Sequence, residues 1–259
     1  MESPEPQDAK AAKTAEIGEL KKFTDRVGPL FGTEDFCLFL YSLVKMHRPA
    51  TILEVGTGCG AAALWLAQAV KENGAGHLWT IDDGSEWSML LEAPACPLLP
   101  EERKESHEAF FKDALERFGL SEQVTFIRGK VPPYPRIDGK IDLLFSDFLH
   151  GPNMILSLLG YFLPRMATAS SILIDSASTA FPSYALLEIL VGQLNAGRLP
   201  QALVEMTQEE DRAASTAFVR SSRFTLVHLT EAKNRRQNST AWIKIEPIDL
   251  RPYPATAWH

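Results

Sequence analysis

The chain has 259 residues, 45% of them hydrophobic and 23% charged, an ordinary globular composition with length enough to bury a full core. A net charge of −7 argues against a large nucleic-acid footprint, because gripping a phosphate backbone draws on clustered Lys and Arg. The densest apolar run, 36–44, falls far short of the roughly 18 residues a membrane helix needs.

Residues 1–13 are polar and acidic with two prolines, lack the basic and apolar regions of a secretory signal, and read as a frayed tail. Residues 14–47 read as helical. Phe23, Val27 and Leu30 fall on one face, and Thr33 is an N-cap candidate before Phe36, Phe39, Leu40, Leu43 and Val44. Residues 14–50 are thus expected to form accessory helices ahead of a main domain over 51–259.

From position 51 strand and helix alternate: strand 51–56, helix 60–73, strand 77–82, helix 101–118, strand 123–128, strand 140–147, helix 153–164, strand 170–175, helix 182–195. Such alternation predicts an α/β fold, a parallel sheet with helices on both faces. Pro100 and Pro182 suit first-turn positions, and Phe110, Phe111, Ala114, Leu115 and Phe118 form one apolar face. After 195 the helical pattern stops. Alternating runs at 224–229 and 241–245 predict a terminal antiparallel hairpin. Lys233, Arg235 and Arg236 lie between these runs and read as a solvated turn rather than an RNA contact. The segment 84–100, with Pro94, Pro97 and Pro100, reads equally as a lid or as an ordered excursion carrying Trp87, Met89, Leu90 and Leu91 to the core edge.

Cys37, Cys59 and Cys96 are odd in number and lack metal-ligand spacing, which predicts reduced thiols, a cytoplasmic protein and no structural zinc. A small-molecule partner is expected, with neither nucleic acid nor membrane; a homodimer is compatible with the sequence.

The most informative stretch is Thr51-Ile52-Leu53-Glu54-Val55-Gly56-Thr57-Gly58-Cys59-Gly60, a hydrophobic strand ending in an acid and three alternate glycines. Missing Cβ atoms let the backbone turn sharply and approach a ligand, and the following helix offers free N–H groups to an anion. Gly56, Gly58 and Ala61 also satisfy the permissive dinucleotide fingerprint, so the neighbours decide. Strand two ends in Thr80-Ile81-Asp82-Asp83-Gly84, with Asp82 suited to accept both hydroxyls of a ribose. A dehydrogenase calls for a Tyr/Lys pair or a catalytic His with a substrate-clamping Arg, and no such set stands out. The fourth strand instead reads Ile141-Asp142-Leu143-Leu144-Phe145-Ser146-Asp147-Phe148-Leu149-His150.

With these segments and Ile172-Leu173-Ile174-Asp175, the chain resembles the class I S-adenosylmethionine-dependent methyltransferases, most closely the small-molecule O-methyltransferases of the catechol type and their bacterial relatives, over about residues 33–246. The resemblance implies a Rossmann-like sheet of seven strands, mostly parallel, ending in the hairpin. It implies a cofactor site in which Gly56, Thr57, Gly58 and Gly60 make room for the methionyl part, Glu54 lies near its ammonium group, and Asp82 takes the ribose hydroxyls with Asp83 beside it. Family members often carry an acid after the third strand to meet the adenine amine; here Gly129 is followed by Lys130. The catechol-type metal ligands correspond to Asp147, Asp175 and Ser176. A serine hydroxyl is a poor substitute for an amide oxygen on a hard cation, so a metal-free site is expected. Asp147, at the carboxyl edge of the sheet, is the pivotal site residue. His150 reads either as a general base, its ordinary pKa of about 6.5 suiting that task, or as a residue that starts the next helix. His47, His77, His107, His228 and His259 read as surface or packing residues.

The expected reaction is in-line methyl transfer to oxygen or nitrogen of a small molecule. Two other readings stay open: chemistry on the methionyl chain releasing methylthioadenosine, and a non-catalytic scaffold that keeps the cofactor site. A nicotinamide dehydrogenase is a distant third.

Overall fold

In the computed structural model of the protein, β1 (Thr51–Val55) is buried from its second residue onward, with Ile52, Leu53 and Val55 closed to solvent. Residues 7–31, 34–93, 96–231 and 238–248 are described. Two compact units share the chain: Met1–Phe148 with Glu231–Asn238, and Leu149–Thr230 with Ser239–His259. Thr33, Pro94, His259 and the basic cluster at 233–236 lie outside the described residues.

In the first unit β1 pairs in parallel with β2 (His77–Asp82) and β4 (Ile141–Ser146), and β2 pairs in parallel with β3 (Val124–Arg128), giving the order β3-β2-β1-β4. Strands buried on both faces read as continuous apolar runs, which Leu143-Leu144-Phe145 shows. Helix α3 (Ala61–Asn73), which follows the glycine turn, is buried along nearly its whole length because α1 (Gln7–Phe31) and α2 (Glu34–His47) cover it. The Trp65 indole N–H donates to the buried Thr24 hydroxyl at 2.7 Å, and Tyr41 meets the same indole edge-on. Helix α1 extends back to Gln7, into the stretch read as a tail, in keeping with the strong helix formers Ala9, Ala11 and Ala12.

Residues 84–100 hold a six-residue helix, α4 (Trp87–Glu92), too short to declare a period in the sequence. The segment is tied down: Arg26 donates to the Pro97 carbonyl at 2.9 Å, and the Trp87 indole donates to the Lys104 carbonyl at 3.2 Å. Trp87 is buried, but Met89 is 64% exposed and does not join the core. Helix α5 (His107–Arg117) starts six residues later than the predicted 101, because Ser106 caps it by accepting the Ala109 N–H.

In the second unit β5 (Met166–Asp175), β7 (Ser239–Pro247) and β6 (Ser222–Thr230) pair antiparallel in the order β5-β7-β6, so the predicted hairpin is present. Its core joins Leu158, Leu159 and Phe162 of α6 (Pro152–Phe162), Leu187, Leu190 and Leu194 of α7 (Phe181–Asn195), and the inward residues of the strands. The stretch after 195, expected to lack helix, carries α8 (Gln201–Met206) and α9 (Arg212–Ser221). The first is again too short to show a period, and the second is dominated by small and polar residues. The first unit thus holds four parallel strands and the second three antiparallel ones, the seven strands expected, and each unit carries helices.

Candidate cofactor site

The chain leaves β1 through Gly56, whose φ is +93° and whose missing Cβ would lie 2.2 Å from the Asp147 carbonyl oxygen. No residue with a side chain fits there. Asp147 in turn donates its N–H to the Val55 carbonyl at 2.9 Å, extending the β1–β4 ladder one step past Ser146. Gly60, the N-cap of α3 with φ +78°, lies against the Phe111 ring, which an added Cβ would meet at 2.7 Å. These two glycines thus make room for the protein's own carbonyl and ring, and the turn between them is packed before any ligand arrives.

Glu54, one residue before the strand's end, is 1% exposed. Its register partner on β2 is Thr80, and the Thr80 hydroxyl donates to Glu54 Oε2 and lies 2.6 Å from the Thr57 hydroxyl. Glu54 Oε1 is buried and has no hydrogen-bond partner. Burial pushes the carboxyl well above the usual carboxylate range; the Thr80 bond opposes this, and the negative charges of Asp147 and Asp82 add to it. A buried acid with one idle oxygen is suited to meet an arriving cation.

Asp82 ends β2 and organises the turn. Its Oδ2 accepts the N–H groups of Thr57 and Gly58, both at 3.0 Å, and its Oδ1 accepts the Gly84 N–H at 2.7 Å. Asp83 accepts the Ser85 N–H at 2.8 Å, and its bonds from Ser85 hold its carboxyl below the usual range. Beside it lies a cleft of about 170 Å³, lined among others by Asp83, Trp87, His107, Phe126 and Arg128. Glu54, Gly56, Thr57, Gly58, Gly60, Asp82 and Asp147 therefore converge at the carboxyl ends of β1, β2 and β4, where open α/β sheets bind ligands. Asp83 faces the adjoining cleft.

His107 was expected to serve surface or packing, but it joins this constellation. Its ring is 7% exposed, and Nε2 lies 2.7 Å from the Gly58 carbonyl oxygen. No local signal in the sequence marks this contact, because 49 residues separate the partners.

The remaining candidates belong to the second unit. The backbone carbonyl of His150 accepts the Ser183 hydroxyl at 2.6 Å at the approach to α6. Asp175 ends β5 and accepts the Ser176 hydroxyl at 2.8 Å, while Ser176 takes a left-handed backbone with φ +57°. The Ser176 proton is thus spent on the carboxylate a metal would use. Among the described residues no group of three His, Cys, Asp or Glu side chains is arranged to hold a metal ion. Of the predicted ligands, the Ser176 hydroxyl is the poor one for a hard cation. His228, also read as packing, lies 2.8 Å from the Ser178 hydroxyl and 3.2 Å from a Glu188 carboxylate oxygen.

A family model described as a methyltransferase domain matches residues 53–177, the stretch that runs from the glycine turn through Asp147 to the end of β5. The chain is 26% identical over 117 residues to the ribosomal protein arginine N-methyltransferase rmt3 of Schizosaccharomyces pombe, a match spanning 45% of this chain and only 17% of that protein's length. Among solved structures the chain is similar to the O-methyltransferase TomG of Streptomyces achromogenes in complex with SAM, at 15% identity and TM-score 0.51 over 89% of each chain. It is also similar to the O-methyltransferase of Bacillus cereus in complex with SAH, at 15% identity and TM-score 0.53 over 90% of this chain and 91% of that one. At such identities the structural likeness is one of fold. The described helices include none long and apolar enough to cross a membrane.

Proposed function

We propose that the chain transfers a methyl group from S-adenosylmethionine to an oxygen atom of a small molecule. The observation that carries this reading is the turn held between Asp82 and Glu54 at the carboxyl ends of β1 and β2, inside a domain matched as a methyltransferase. Two fold neighbours bound to the cofactor or its demethylated product support it.

The residues fit the cofactor. The idle Oε1 of Glu54 would meet the ammonium group, the turn of 56–60 the methionyl carbons, and Asp82 with Asp83 the ribose. When bound, the sulfonium supplies a strong leaving group, so no covalent enzyme intermediate is needed. The chain's contribution is to bind, to orient the acceptor behind the methyl carbon, and to keep water out. His150 is our candidate for the general base, on the chemistry of its imidazole alone. No step runs through a metal. The three cysteines, none of them in a disulfide among the described residues, support a reducing, cytoplasmic setting.

Calorimetry with S-adenosylmethionine and S-adenosylhomocysteine tests the cofactor, and by-product analysis tests the chemistry. Heat with both ligands and formation of S-adenosylhomocysteine with an acceptor panel are expected. Methylthioadenosine as the by-product, or no heat from folded protein, would overturn the reading.

A further inference from the structure

The glycine turn is gripped from both of its polar sides, and the two grips come from different elements. Asp82 on β2 takes the N–H groups of Thr57 and Gly58. His107, the first residue of α5, meets the carbonyl of Gly58 at 2.7 Å. A carbonyl only accepts, so Nε2 is the protonated nitrogen and donates. The other nitrogen, Nδ1, is buried without a hydrogen-bond partner and points toward Asp82, whose Oδ1 is 3.8 Å away. The ring is held edge-on to Phe126 at 5.6 Å and tilted against Trp87 at 5.8 Å, so it cannot swing without disturbing the cleft wall. An apolar ring would serve packing among these aromatics equally well. A buried imidazole spending one nitrogen on the turn and leaving the other idle is built for the turn, not the core.

We propose that His107 is a positioning residue of the cofactor site. Its Nε2–H orients the peptide after Gly58 and thereby pre-forms the turn that receives the adenosyl cofactor. The inference rests on the cofactor reading above. Without the donor the part-buried Gly58 carbonyl loses its protein partner, and only the Asp82 bonds to the Thr57 and Gly58 N–H groups still orient the turn. Binding must then order the turn, which lowers affinity.

The test is S-adenosylhomocysteine calorimetry with thermal melts on the wild type and on His107→Gln, His107→Asn and His107→Leu. Glutamine carries an amide N–H near the Nε2 position, asparagine is one methylene too short, and leucine has no donor. His107→Gln is expected to bind within about threefold of wild type, and the other two to lose roughly tenfold or more while still melting cooperatively. Should His107→Leu fail to fold, His107→Asn decides. Wild-type affinity in the asparagine or leucine variant, even with a lowered melting temperature, would assign the ring to packing and overturn the proposal; so would a glutamine variant as weak as leucine. A wild type that binds nothing removes the cofactor reading and this inference together, whereas a binding wild type with an indifferent leucine variant removes this inference alone.

Discussion

Glu54 is bonded on one side only: the Thr80 hydroxyl donates to its Oε2 from the neighbouring strand, and Oε1 is buried with nothing to accept. The folded protein therefore holds this proton more tightly than the unfolded chain does. The unfolded state binds fewer protons above the ordinary carboxyl range, so the stabilising proton is fully in place below about pH 4.5 and its contribution is lost as pH rises through the higher folded value. Glu54→Gln carries no such proton. Denaturant melts should find the variant close to wild type at pH 5 and more stable than wild type at pH 8. The same variant should bind S-adenosylmethionine more weakly at pH 8, since its cationic ammonium loses a counter-charge.

Gly56→Ala should be unable to keep the native turn. The new Cβ meets the Asp147 carbonyl at 2.2 Å, and the φ of +93° is strained for any side chain. A loss of about 3 kcal/mol or more in unfolding free energy and no measurable S-adenosylhomocysteine binding are expected. An alanine variant with wild-type stability and affinity would show that this turn is not rigid.

Asp82 and Asp83 should separate by readout. Asp82 accepts three backbone N–H groups, so Asp82→Ala should lower both the melting temperature and cofactor affinity. Among the described residues Asp83 bonds only the neighbouring Ser85, and it lines the cleft, so Asp83→Ala should weaken cofactor binding with the melting temperature nearly unchanged. Equal effects in both assays would contradict this division.

Glu102 is buried and receives bonds from the Arg26 guanidinium at 2.7 Å and from Arg117 at 2.9 Å. Burial by itself would raise its pKa, but the bonds from Arg26, the Leu99 N–H and Arg117 outweigh it, and the carboxyl sits below its ordinary value. Its contribution is present above about pH 4.5 and lost as pH falls through the lower folded value. Glu102→Ala should cost about 3 kcal/mol at pH 7, most of it from leaving Arg26 partly buried and unpaired, and much less at pH 3.

The thiols should differ in reactivity. Burial, mainly, pushes the Cys59 thiol up to about 12, and its side chain is closed to solvent, as is that of Cys37. Cys96 is half-buried. Iodoacetamide at pH 8 should alkylate Cys96 in the native protein, with Cys37 and Cys59 labelled only after denaturation, as mass spectrometry would read.

From position 51 to 195 the strands and most helices were legible in the sequence, because a parallel sheet covered by helices buries continuous apolar runs between glycine and proline breaks. The elements that escaped were α4, α8 and α9, short or poor in large apolar residues, and the early start of α1. Length and composition gave them no period to read. The turn at 56–60 and its acids at 54 and 82 were equally visible, because a backbone with positive φ needs glycine and a site beside it needs charge.

What each of those residues does was decided only by tertiary contact. The chain alone determined that residues 54–60 make a sharp turn at a strand's end and that an acid ends the next strand. It did not reveal that Gly56 yields to the Asp147 carbonyl, that Asp82 ties down the turn through its Oδ2, that Ser176 spends its proton on Asp175, or that His107 closes the turn from a helix 49 residues away. Local conformation follows from a residue's own sterics and its neighbours' period. A hydrogen bond between distant segments exists only once packing has set the two atoms within about 3 Å, and no pattern along the chain encodes that distance.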